Sequence, residues 1–110
     1  MAVKSAKLAL HGEWSLLSGS ERSKYLLAVS KELLNQKERL STIETMDNGK
    51  TIRESEADVE DAAACFEFYS KLAVKLDEQQ GEKLETGSDG YSSKLYYEPV
   101  GVCGKLIFII

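Results

Sequence analysis

Residues 51–76 read TIRESEADVEDAAACFEFYSKLAVKL, and this stretch decides the fold. Thr51, followed three positions later by Glu54, has the pattern of a capping box, which begins a helix. The apolar residues that follow recur at alternating steps of three and four, which places them on one helix face. They are Val59, Ala62, Phe66, Tyr69, Ala73 and Leu76. We therefore predict a helix from about residue 51 to 76, with these six as its least exposed positions.

The segment before this helix also has a helical pattern. Ser18 and Glu21 form a second possible capping box, and apolar residues recur after it at helical spacing. A polar break near Asn35 divides the pattern, which then continues to Asn48. Gly49 suits the left-handed residue that follows a helix end. With a weak helix or arm before Trp14, the helical part is predicted to cover about residues 4–80.

The pattern changes after residue 80. Residues 81–90 are polar and contain three glycines, which is typical of a connector. Residues 91–98 alternate between two faces with the period of a strand, and Pro99 interrupts that strand. Residues 100–110 are more apolar, which is typical of a strand buried in a parallel sheet. The predicted class is therefore α/β, with helices leading into strands at about 91–110.

Composition limits the function. The 110 residues carry a formal net charge of -4, and no basic stripe is present to neutralise nucleic-acid phosphates. The apolar run at 106–110 is far shorter than the ~20 residues of a membrane span. The two cysteines lie 38 positions apart without a CxxC motif. We therefore predict a cytoplasmic protein that binds neither nucleic acid nor membrane.

Few residues could carry chemistry. His11 is the only histidine, and its polar surroundings indicate a solvated residue. Cys65 and Cys103 lie in apolar segments, which favours packed and inert thiols. The acidic residues at 58, 60 and 61 are typical of a solvated helix face. Gly101 and Gly104 precede a strand rather than link a strand to a helix, so they do not form a dinucleotide fingerprint.

Four motifs resemble those of the NAD(P)-dependent aldehyde dehydrogenases. Residues 44–50, ETMDNGK, resemble the family's E-x-x-D-x-G-K segment. Residues 98–104, EPVGVCG, are similar to the strand that leads to its P-W-N-x-P motif. Between them, residues 61–80, which include ACFEFY at 64–69, most resemble the betaine and aminoaldehyde branch. Trp14 followed by Glu21-Arg22 is similar to the W…R pattern of the family's first long helices.

The resemblance implies the N-terminal part of a Rossmann-like, NAD- or NADP-binding domain in an enzyme that oxidises aldehydes through a cysteine thiohemiacetal. It implies that residues 91–98 belong to a hairpin that joins the subunits of a homo-oligomer. It also implies that Asp47 helps to hold a structural monovalent cation, for which a carboxylate and backbone oxygens are suitable ligands. A role for Asp47 as a turn residue at a helix end remains an equal alternative.

The sequence departs from the family pattern at Phe108, Ile109 and Ile110, which stand where the family has Pro-Trp-Asn. The family's Asn donates to the oxyanion, and losing one such donor costs ~10²–10³ in rate. The family's nucleophilic Cys and general-base Glu lie still further along, and neither Cys65 nor Cys103 takes the nucleophile's place.

We therefore expect a truncated dehydrogenase that is inactive alone, binds no cofactor alone and self-associates through exposed strands. A non-catalytic helical interaction module and an unstable translation product without function are the alternatives.

Overall fold

The computed structural model describes residues 1–87 and 90–104. Helix α1 spans Ala2–Leu10 and is followed by a short 3₁₀ turn at Glu13–Leu16. Three longer helices follow: α2 at Gly19–Asn35, α3 at Lys37–Asn48 and α4 at Ile52–Glu78. Strands β1, Glu82–Leu84, and β2, Ser93–Leu95, complete the described elements. Helices leading into a strand pair agree with the predicted fold class.

Both predicted capping boxes are confirmed. The Ser18 hydroxyl accepts a hydrogen bond from the Glu21 N–H at the start of α2, and Thr51 and Glu54 repeat the arrangement at α4. In each box the glutamate carboxylate accepts the backbone N–H of the capping residue in return. That backbone hydrogen bond is the main cause of the lowered pKa of Glu21 and of Glu54.

The core lies where α2 and α3 pack against α4. Its fully or nearly fully buried positions are mostly small residues: Ser30, Ser41, Ser55, Val59, Ala63 and Ser70. The Ser41 and Ser70 hydroxyls donate to backbone carbonyls in the preceding turns of their own helices, at 2.7 and 2.6 Å. Small side chains whose hydroxyls are satisfied locally allow close approach of the helices without an unpaired polar group.

Of the six positions of α4 that were predicted to be least exposed, the prediction is correct for Val59, Ala62 and Ala73 and wrong for the other three. Val59 is buried and Ala62 and Ala73 are half-buried, but Phe66, Tyr69 and Leu76 are exposed by 37%, 55% and 38%. The inward positions are Ser55, Val59, Ala63 and Ser70, which we call the buried stripe. Helix α4 therefore carries apolar residues on two faces, and its neighbours cover the face with the smaller side chains.

A close contact fixes the start of α2 against the end of α4. The Gly19 N–H and the Arg22 guanidinium both donate to the Asp77 carboxylate, the second at 3.1 Å. Arg22 also donates to the Leu17 carbonyl. A side chain at Gly19 would collide with the Ala73 carbonyl and would lie 2.8 Å from Asp77 Cγ. Glycine is therefore required at position 19 by the approach of the two helices.

The strands form an antiparallel pair in which Glu82 faces Leu95 and Leu84 faces Ser93. The predicted strand at 91–98 is therefore shorter than expected, and the predicted connector at 81–90 contains its partner. The prediction failed at β1 because its three residues are all exposed and carry no alternating apolar pattern. Gln80 ties the hairpin to α4, since its side-chain amide bonds both the N–H and the carbonyl of Tyr97.

The predicted strand at 100–110 is not formed in its described part, residues 100–104. A strand requires a neighbouring strand to pair its N–H and C=O groups, and the described residues place none beside this segment. Residues 105–110 lie outside the described part of the chain. None of the helices in the described ranges is long and apolar enough to cross a membrane.

Candidate functional site

The turn between α3 and α4 contains the family-like motif at 44–50 and is the candidate site. Helix α3 ends at Asn48, and Gly49 takes a left-handed conformation with φ of 80°, as predicted. The Asn48 side-chain oxygen accepts the Lys50 N–H at 2.9 Å, which closes the turn. The Asn48 side-chain nitrogen is buried without a partner in the described structure. Since that nitrogen can only donate, it cannot serve as a cation ligand.

Lys50 is the centre of charge in this turn. Its ammonium lies 2.8 Å from a Glu44 carboxylate oxygen and 2.6 Å from an Asp58 carboxylate oxygen. The hydrogen bond to Asp58, followed by that to Glu44, raises the pKa of Lys50 above its ordinary value. The lysine thus joins the last turns of α3 to the second turn of α4. A hydrogen bond of 2.9 Å between the Thr45 and Ser55 hydroxyls makes a second link.

Asp47 lies on the last turn of α3 with its side chain exposed. It borders a surface cleft of about 440 Å³ that is also lined by Glu44 and Asp58 and by apolar residues of α2, α3 and α4. The carboxylates of Glu44 and Asp58 are both paired with the Lys50 ammonium. No group of three His, Cys, Asp or Glu side chains suited to a metal occurs within residues 1–87 and 90–104. Of the three carboxylates that line the cleft, only that of Asp47 forms no ion pair within the described residues.

The structure does not bring the other candidate residues into this site. His11 is exposed just after α1, as predicted. The prediction of packed thiols is wrong, because Cys65 and Cys103 are both free and exposed. Cys65 is exposed because it lies on the face of α4 that α2 and α3 do not cover. Cys103 follows the hairpin in a segment without regular structure.

Sequence reasoning missed the role of Lys50. The signal was present, since Glu44 lies six positions before Lys50 and Asp58 lies eight positions after it. Only the left-handed turn at Gly49, however, brings the two carboxylates to one ammonium. Sequence reasoning likewise missed the contact of Arg22 with Asp77, because 55 positions separate the two residues.

A sequence profile of the aldehyde dehydrogenase family matches residues 1–107. The chain belongs to the aldehyde dehydrogenase family. Among curated relatives, aminoaldehyde dehydrogenase 2 of Solanum lycopersicum is 40% identical over 107 residues, which cover 96% of this chain and 21% of the relative. The betaine aldehyde dehydrogenase of Bacillus subtilis is 40% identical over 106 residues, with the same coverage of both chains. This aldehyde dehydrogenase chain thus spans about a fifth of the length of those relatives.

Solved structures of the family agree with the fold. A point mutant of the betaine aldehyde dehydrogenase of Staphylococcus aureus, in complex with NAD+, superposes with a TM-score of 0.71 at 32% identity. The superposition covers 84% of this chain and 18% of that chain. Over the superposed part, this chain therefore has the same fold as one part of a much larger aldehyde dehydrogenase.

Proposed function

We propose that these residues form the N-terminal part of the cofactor domain of an NAD- or NADP-dependent dehydrogenase that oxidises aminoaldehydes or betaine aldehyde. The observation that carries this proposal is the family match over residues 1–107. Both relatives named above carry such an aldehyde in their names, and the Staphylococcus aureus enzyme was solved with NAD+. The parent reaction is attack of a cysteine thiolate on the aldehyde, followed by hydride transfer to the cofactor.

The chain contributes scaffold rather than chemistry to this reaction. The described residues contain one histidine and two free cysteines, and all three residues are exposed. We therefore propose that the 110 residues alone neither turn over an aldehyde nor hold the cofactor.

A chimera tests this proposal. The segment of the Bacillus subtilis betaine aldehyde dehydrogenase that matches this chain is replaced by residues 1–107, and the same enzyme without the segment serves as the control. We expect the chimera to reduce NAD+ with betaine aldehyde or an aminoaldehyde, and the shortened enzyme to be inactive. A folded chimera that oxidises neither aldehyde would contradict the proposed function.

We further propose that Asp47 and nearby main-chain carbonyls hold a monovalent cation in the complete enzyme. Its exposed carboxylate at the end of α3 and the negative end of that helix support this proposal. In the chimera, K+ or Na+ should raise the melting temperature, and Asp47→Asn should remove that increase. Asp61→Asn, an exposed acidic position elsewhere, is the matched control. An equal response to the cation in both variants would refute the role of Asp47.

Assembly and location complete the proposal. We propose that the β1–β2 hairpin joins subunits of a homo-oligomer, since its two short strands leave both outer edges without a partner among the described residues.

We also propose a cytoplasmic location, which two free thiols support. Other relatives are named as peroxisomal or chloroplastic enzymes. Fluorescence imaging of a tagged parent protein would distinguish these locations.

A further inference from the structure

Helix α4 presents a second apolar face that the other described elements leave largely exposed. Only its last member, Leu76, borders a cleft that is also lined by residues of α1, the 3₁₀ turn, α2 and the segment 97–99. The members of this face are Cys65, Phe68, Tyr69, Leu72 and Leu76, which we call the exposed stripe. At 3.6 residues per turn they fall within about 100° of one another around the helix. Phe68 and Tyr69 are 56% and 55% exposed, and Leu72 and Leu76 are each 38% exposed. Large apolar side chains that are exposed next to one another are typical of an interaction surface.

The exposed stripe is distinct from the buried stripe on the same helix. Ser70, in the buried stripe, lies about 140° around the helix from Cys65. Glu67 and Lys71 form an exposed ion pair at 2.7 Å between the two faces. Helix α4 is thus apolar on two sides, which is typical of a helix packed between two layers rather than one at a protein surface.

We propose that the exposed stripe is the surface on which the remaining polypeptide of the dehydrogenase packs. This inference rests on the proposed function. The chain spans 21% of the curated relatives and 18% of a solved neighbour, so the same helices there belong to a chain about five times longer. The stripe itself contains no charged residue, and Phe68 and Tyr69 present their rings together, edge to face, at 5.5 Å. An uncharged, aromatic-rich surface fits permanent burial against an apolar layer.

Cys65 provides a direct reporter because it lies within the exposed stripe. The experiment uses the chimera described above with Cys103→Ser, treats it with iodoacetamide, and follows the modification of Cys65 by peptide mass spectrometry. We expect the folded chimera to be modified at Cys65 at least about tenfold more slowly than the same protein in urea, because reaction then requires local opening.

The matched control moves the thiol off the exposed stripe by two positions. Glu67→Cys in a Cys65→Ser background places it about 200° further around the helix, where Glu67 is 52% exposed. That thiol should react at nearly its unfolded rate. Equal rates at positions 65 and 67 in the folded chimera would overturn the proposal. Protection of Cys65 in the 110-residue chain that grows with its concentration would overturn it in favour of a second copy.

The readouts separate this inference from the proposed function. A chimera that is inactive but protected at Cys65 would refute the function and support the packing surface. An active chimera with a reactive Cys65 would support the proposed function and refute the packing surface.

If the chimera does not fold, binding of the 110-residue chain to the shortened Bacillus subtilis enzyme is measured instead. Leu72→Glu should weaken that binding at least about tenfold, whereas Lys71→Glu should leave it unchanged. Equal binding by both variants, or none by the unaltered chain, would overturn the packing surface.

Discussion

Replacing Gly19 by alanine tests the contact between α2 and α4. Gly19 is the first residue of α2, where alanine would ordinarily favour the helix. Here, however, the added methyl group would collide with the Ala73 carbonyl and lie 2.8 Å from Asp77 Cγ. Since both obstacles belong to α4, one helix end must move away from the other.

The magnitude follows from two effects. Forcing one extra methyl group into a packed contact costs about 1–3 kcal/mol. Separating the helices also weakens the hydrogen bond from the Gly19 N–H to Asp77, and a typical hydrogen bond contributes about 0.5–1.5 kcal/mol. We therefore expect Gly19→Ala to lower the free energy of unfolding by about 1.5–4.5 kcal/mol.

Urea unfolding followed by circular dichroism measures this loss. Ser20→Ala is the matched control, because Ser20 is the next residue of the same helix and is exposed. That control should change the free energy of unfolding by less than about 0.5 kcal/mol. If Gly19→Ala were as stable as Ser20→Ala, α2 and α4 would not meet at position 19 and the packing described here would be wrong.

Three further predictions concern helix α4. Thr51→Ala removes the capping hydroxyl and should cost about 0.5–2 kcal/mol in urea unfolding; an unchanged midpoint would show that the cap is not formed. Ala63→Leu should cost about 1–3 kcal/mol because Ala63 is only 1% exposed, whereas Ala64→Leu, at an exposed neighbouring position, should melt near the parent temperature. The folded pKa of Glu54 is lowered, so its contribution is present above the ordinary pKa of 4.5 and is lost as the pH falls through the folded value. Glu54→Gln should therefore flatten the acid limb of the stability profile, and an unaltered limb would refute the capping role.

The sequence was sufficient to predict where α2 and α4 begin and where α3 ends. Ser18, Thr51 and Gly49 act through bonds to residues within four positions, so their local pattern determines where helices begin and end. The break near Asn35 was also predictable, because a polar stretch interrupts the apolar repeat there. Such features follow from local chemistry and can be predicted without knowledge of tertiary contacts.

The burial of α4 could not be predicted from its sequence. Two faces carry apolar residues, and the periodicity does not say which of them a neighbour covers. The face with Ser55 and Ser70 is buried because small side chains allow α2 to approach closely, although a hydropathy pattern favours the face with Tyr69. The two ion pairs of Lys50 could not be predicted for a related reason: Glu44 and Asp58 come together only because the chain turns between α3 and α4.

The central claim is that these residues belong to an aldehyde dehydrogenase whose chemistry is carried by other parts of the polypeptide. The most direct test compares NADH formation from betaine aldehyde by the purified 110-residue chain and by the chimera. We predict that the chimera turns over and that the chain alone matches a sample without protein. Turnover by the chain alone that is abolished by Cys65→Ala or Cys103→Ala would contradict the claim.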